Sequence, residues 1–161
     1  MRKRTSSLLA ATLAVVALGV SLQPARAFLD KTRFLFDTGT AFFAFHHWVW
    51  NPYKAGDFKS NVPHHTKYIV KAGLATLFAV HQLKSADSIA HKSKSPLLHK
   101  IAGAMDKMES SFSTAGTHLK NGVFAAKELD GANGTLMNVG DVAKRAGMVI
   151  KDHAIKIPGV G

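Results

Sequence analysis

Apolar residues in the segment 96–120 recur in alternating steps of four and three, a spacing that places them on one face of an α-helix. Ser95 followed by Pro96 is typical of a helix start, and Asn121-Gly122 is typical of a helix end. A helix with one apolar face must bury that face against other elements, so the segment predicts a helix inside a larger helical assembly. The residues with this spacing are Ile101, Met105, Met108, Phe112, Ala115 and Leu119.

Two further helices are predicted before this segment. The segment Phe28–Trp50 has apolar residues around most of its helical circumference, as expected of a central buried helix. Asn51-Pro52 should end this helix. The next helix should begin at Pro63 and extend to about His91. Its inward face is predicted to carry apolar residues at helical spacing together with one histidine, which we expect to be a hydrogen-bonded core residue. These residues are Val70, Leu74, Leu77, Phe78 and His81.

The last helix is predicted from about Thr135 to His153, after a turn-rich cluster at 130–134. A short helix is allowed at 123–129, and a Pro/Gly tail should follow from Lys156. No segment shows strand-like alternation of useful length. The predicted fold class is therefore all-α, an antiparallel bundle of about four main helices with a central, highly apolar first helix.

The N-terminus has the layout of a secretory signal peptide. Basic residues at 2–4 precede a charge-free apolar run from Leu8 to Leu22, and Ala25 and Ala27 form a small-x-small cleavage motif. The run is shorter than the ~20 residues of a membrane span, and no second run of span length follows. We expect a Sec-type signal peptide at 1–27, cleavage after Ala27, and a single helical domain at 28–161. The product would be secreted, periplasmic or part of the cell envelope.

Positive charge is concentrated in the middle of the chain. Loss of the four basic residues of the signal peptide lowers Lys plus Arg from 21 to 17, against 10 acidic residues, so the net charge falls from +11 to +7. The segment 54–100 alone carries eight lysines against two aspartates. Because lysine is a point charge that lacks the bidentate fork of arginine, this surface suits nonspecific anions better than sequence-specific nucleic acid. The predicted partner is an anionic envelope polymer or lipid surface, and the candidate anion-binding residues are Lys54, Lys59, Lys67 and Lys71.

Aromatic residues surround the first connection. Both tryptophans of the protein, Trp48 and Trp50, lie here together with Tyr53. Trp and Tyr beside Lys are typical of a membrane interface and also suit stacking on a sugar or base. We take these three as candidate contact residues. On the helical wheel Trp50 should pack, whereas Trp48 should point away from the helix core.

The nine histidines allow a second function, in which the protein carries a transition metal or haem. No two histidines stand at i, i+4, so any site must be assembled by the fold. An up-down bundle would bring five of them to one end, where they could ligate Zn, Cu or Ni. Haem ligation by His46 and His81 is disfavoured, because the two should lie at different depths. The candidate metal ligands are His46, His47, His64, His65 and His118.

Catalysis has little support in the sequence. The chain has no cysteine, which excludes a disulfide scaffold, a thiol enzyme and Cys-ligated metal centres. It also contains no Gly-x-Ser-x-Gly elbow, Gly-rich phosphate loop or cluster of acids. We therefore expect a non-catalytic protein without a cofactor. Under the alternative function, the cofactor would be a transition metal or haem.

Overall fold

A computed structural model describes residues 22–160. Most of the predicted signal peptide, residues 1–21, lies outside the described residues, and the predicted cleavage position after Ala27 falls within the first helix. No β-strand occurs in the described range. The elements are α1 (Leu22–Phe45), a π-helical turn (His46–Trp50), α2 (Asn51–Ala55), α3 (His65–Lys92), α4 (Pro96–Lys120) and α5 (Ala126–Arg145).

Four helices pack against one another, α1 on α3, α3 on α4 and α4 on α5. The all-helical prediction is thus confirmed for residues 22–160. A central position of the first helix is not confirmed, because α3 and α4 each pack on two neighbouring helices, whereas α1 packs mainly on α3. Pairs of contacting residues progress in opposite directions along neighbouring helices, which therefore run antiparallel. The pairs are Asp37–Ser85 and Trp48–Lys71 for α3 against α1 with its π-helical extension, and Thr76–Gly116 and His91–Asp106 for α3 and α4.

The buried face of α3 is the reverse of the predicted one. Leu74 and His81 are exposed, and Val70, Leu77 and Phe78 are only half-buried. The helix instead buries a face of mostly small residues, because small side chains let its backbone approach α1 and α4 closely. His81 is consequently a surface residue and not the core residue expected from the spacing. The buried residues of α3 are Ile69, Ala72, Gly73, Ala75, Thr76, Ala79, Val80, Leu83, Ala86 and Ala90.

The first helical segment does not end at Asn51-Pro52. A proline inside a regular α-helix clashes with the carbonyl four residues earlier, here that of Trp48. The turn immediately before it is π-helical, and the Asn51 amide donates to the His46 carbonyl five residues back. This wider turn accommodates Pro52, and the helical path continues until Gly56, whose positive φ of 87° ends α2.

The last helix begins earlier and ends earlier than predicted. The segment 130–134 is helical because its turn-forming residues face solvent while Leu129, Ala132 and Leu136 pack inward at helical spacing. Gly147, predicted to lie inside the helix, follows its end with a φ of 77°, and the Met148 amide donates to the Ala143 carbonyl at 2.9 Å.

Residues 148–160 form a C-terminal segment that packs along α1. The His153 amide donates to the Gly39 carbonyl at 2.9 Å, and a Cβ at position 39 would overlap the Lys151 carbonyl oxygen. Glycine at 39 therefore permits the close approach of the two backbones. Ile157 and Val160 are buried, so the predicted Pro/Gly tail is part of the core.

Candidate functional site

The two tryptophans of the π-helical turn each lie beneath a lysine. The Nζ atom of Lys71, from α3, is 5.9 Å from the ring centroid of Trp48. The Nζ atom of Lys54, from α2, is 5.6 Å from the ring centroid of Trp50. Both distances are within the ~6 Å range of cation–π attraction. Each ammonium group thus lies beside an aromatic ring, in one pair between the π-helical turn and α3 and in the other between that turn and α2.

The Trp50 ring is held by an aromatic cluster. Trp50 stacks on Phe45 at 6.3 Å between centroids and contacts Tyr53 at 5.5 Å. Tyr53 in turn contacts Phe124 from the α4–α5 connection at 5.7 Å. Burial raises the pKa of the Tyr53 hydroxyl, as do the charge of Asp130 and a hydrogen bond to it. These neighbours fix the orientation of Trp50, so this part of the site is preorganised.

Both tryptophans are half-buried and pack against the core. The helical wheel predicted packing for Trp50 alone. That prediction assumed a regular α-helix and did not include packing against the C-terminal segment. The widened turn and that segment give Trp48 packing neighbours as well. Each ring therefore has one face in the protein and leaves part of its surface to solvent.

The remaining predicted lysines extend the same region. Lys67 is exposed and lies one helical turn before Lys71 on α3, so the two share a face. Lys59 is exposed, and its side chain lies against Gly56 at the end of α2. We refer to Trp48, Trp50, Lys54, Lys59, Lys67 and Lys71 as the basic–aromatic surface.

The outward face of α3 continues this surface with apolar side chains. Leu74 follows Lys67 and Lys71 on the same face and is 36% exposed, and nearby Tyr68 is 43% exposed. No acidic residue occurs in the sequence between Asp57 and Asp87. This part of α3 therefore presents cations and apolar groups to solvent with no acidic residue from its own segment beside them.

A cavity of about 590 Å³ lies beside the basic–aromatic surface, between the π-helical turn and the C-terminal segment. A hydrogen bond between His46 Nδ1 and Asp152 Oδ2, at 2.8 Å, joins the turn to that segment. Sequence reasoning missed the cavity because it needs residues about 110 positions apart. Its lining residues are Phe43, His47, Trp48 and Ile155–Gly159.

The five candidate metal ligands have separate surroundings. His118 Nδ1 lies 2.9 Å from both carboxylate oxygens of Glu128, and His46 binds Asp152 as described. The ring of His47 stacks on Phe43 with centroids 5.1 Å apart. His65 Nδ1 faces the Val62 carbonyl at 3.3 Å, and His64 is exposed. The structure thus does not bring the five together as one set of ligands.

Within residues 22–160, one group of three possible ligands has its donor atoms close enough to share a metal ion. It consists of Asp87 and His91 from α3 and Asp106 from α4, at the opposite end of the bundle. Sequence reasoning searched for paired histidines and missed it, although Asp87 and His91 stand at i, i+4.

In comparisons with protein-family models, curated proteins and solved structures, no match was found.

Over the described range, no helix combines the length and apolarity required to cross a membrane.

Proposed function

We propose that this is an exported, non-catalytic protein that binds anionic phospholipid surfaces through its basic–aromatic surface. The observation that carries the proposal is the placement of Lys71 over Trp48 and of Lys54 over Trp50. Tryptophan favours the headgroup level of a membrane, and lysine beside it attracts anionic headgroups.

The energies agree with weak, salt-sensitive attachment. Each basic residue near an anionic membrane contributes about 1 kcal/mol, so Lys54, Lys59, Lys67 and Lys71 together contribute about 4 kcal/mol. This equals a dissociation constant near the millimolar range before any ring or Leu74 enters the interface. Partial insertion of apolar groups strengthens the binding further, in proportion to the apolar area that is removed from water. Binding of this kind is nonspecific towards the headgroup and needs only negative charge.

A lipid surface accounts for the site better than an anionic polymer does. A polymer would use the lysines and could stack a sugar or base on an aromatic ring, but it would not use the exposed aliphatic side chain of Leu74 beside them. Trp48 and Leu74 adjoin the cations, and a cavity with Phe43, Ile155 and Ile157 in its wall opens next to Trp48. These groups favour an amphiphilic partner.

The alternative function, transition-metal or haem carriage, has less support. It would use the five candidate metal ligands predicted to lie at one end of the bundle. Two of its five candidate residues, His46 and His118, already bind carboxylates. This alternative stays a prediction from the sequence.

Tryptophan fluorescence reports directly on the proposed contact, because Trp48 and Trp50 are the only two tryptophans in the sequence. We expect phosphatidylglycerol vesicles to shift the tryptophan emission to shorter wavelength, and brominated acyl chains to quench it. Phosphatidylcholine vesicles should have little effect, and added salt should reverse the shift by screening the lysines.

A soluble polyanion such as polyphosphate provides the control, since it offers charge without acyl chains. Binding to polyphosphate with no emission shift on any vesicle would identify a polymer as the partner and contradict the lipid proposal.

A further inference from the structure

Asp87, His91 and Asp106 face one another across the α3–α4 interface near the end of the bundle remote from the basic–aromatic surface. The Nε2 atom of His91 is 3.4 Å from Asp87 Oδ1 and 3.4 Å from Asp106 Oδ1. One donor atom from each of the three residues lies within 4.8 Å of the other two. Two rigid helices therefore position three potential ligands.

These separations are long for hydrogen bonds, which have N···O distances of about 2.7–3.2 Å. They match the distances between ligands of one metal ion. Zn²⁺ binds His nitrogen and carboxylate oxygen at about 2.0–2.2 Å, and tetrahedral geometry then places two ligands about 3.4 Å apart. Each carboxylate oxygen thus lies at a ligand-like distance from the imidazole nitrogen, and the two oxygens are within 4.8 Å of each other.

The surroundings of one of these oxygens also point to a missing partner. The Oδ1 atom of Asp87 is buried and accepts no hydrogen bond, and its contact with His91 Nε2 is a 3.4 Å ion pair. A buried carboxylate oxygen without a partner is costly and calls for an explanation. A cation between Asp87, His91 and Asp106 would supply its partner.

The local charge favours a cation as well. Burial raises the pKa of the Asp87 carboxyl, with further increases from Asp106 and Glu109, while His91 lowers it. Lys84 lies 3.9 Å from Glu109 and partly offsets that charge. The excess of carboxylates is notable in a chain whose net charge is +11.

We propose that Asp87, His91 and Asp106 form a binding site for a divalent first-row transition ion, with Zn²⁺ the best match. One imidazole nitrogen suits Zn²⁺, whereas Mg²⁺ and Ca²⁺ prefer oxygen ligands throughout. Three protein ligands leave at least one position for water, and Glu109 is near enough to act on the site electrostatically.

The test uses full-length protein made without a histidine tag, stripped with a chelator and titrated with ZnCl₂ by calorimetry. We expect one equivalent of Zn²⁺ to bind and to raise the melting temperature, with much weaker binding of MgCl₂. The variants Asp87→Asn and Asp106→Asn should each weaken this binding by at least about tenfold. Asp106 is exposed, so its variant is expected to fold.

Matched controls come from His99→Gln and Asp141→Asn, which alter exposed residues outside the cluster and should leave the titration unchanged. Absence of Zn²⁺ binding would overturn the proposal, and so would Zn²⁺ binding that persists unchanged in the two ligand variants.

Discussion

Replacing Phe112 by alanine is expected to lower the free energy of unfolding by about 3–5 kcal/mol. Phe112 lies on α4, is completely buried and packs against Phe45 of α1 with ring centroids 4.6 Å apart. Its ring therefore joins two helices that otherwise meet mainly through α3. Loss of the ring leaves a cavity that rigid helices cannot fill, and domains of this size have total stabilities of only about 5–15 kcal/mol.

Urea unfolding followed by circular dichroism measures this change as a lower midpoint at constant slope. Phe28→Ala is the matched control, because Phe28 is 68% exposed and its loss should alter stability by no more than about 0.5 kcal/mol. Equal effects of the two substitutions would contradict the packing described for α1 and α4.

Replacing Gly73 by alanine should destabilise the protein by about 2 kcal/mol or more, although alanine is the better helix former by about 1 kcal/mol. A Cβ at position 73 would lie 2.6 Å from the Lys120 Cα and 2.7 Å from the Leu119 carbonyl carbon. These are backbone atoms and cannot rotate away, so α3 and the end of α4 would have to separate.

Gly103→Ala is the control within the same helix pair. Gly103 is exposed on α4, and a Cβ there would meet no atom within 4 Å. The same urea experiment should therefore show Gly103→Ala to be stabilising by up to about 1 kcal/mol. If Gly73→Ala were also stabilising, the close approach of α3 and α4 would be wrong.

The helices could be predicted from the sequence wherever apolar spacing and end signals agreed. Pro96–Lys120 was correct at both ends, and the helix predicted from Pro63 to about His91 was nearly correct. The inward face of α3 was assigned wrongly because the spacing of large apolar residues was followed. The correct inward face was indicated by small residues at helical spacing, because such residues let neighbouring helices approach closely. These residues are Ala72, Ala75 and Ala79.

The neighbourhood of the candidate site was predictable only in part. Trp48, Trp50, Tyr53 and Lys54 are close in sequence, so their proximity followed from local structure. The place of Asp152 beside His46 did not, because it depends on the path of the C-terminal segment along α1. Asp106 meets His91 through the register between α3 and α4, which no local pattern specifies.

The most direct test of the proposed function compares two charge-matched variants in their binding to phosphatidylglycerol vesicles by co-sedimentation. Lys54→Gln/Lys71→Gln alters the basic–aromatic surface, and Lys94→Gln/Lys100→Gln removes the same charge at the α3–α4 end, where both lysines are exposed. At about 1 kcal/mol per lysine, the first variant should bind about 30-fold more weakly than the parent, and the second should stay within about threefold of it. Equal losses in the two variants would show that net charge alone drives binding and would contradict the basic–aromatic surface as the contact.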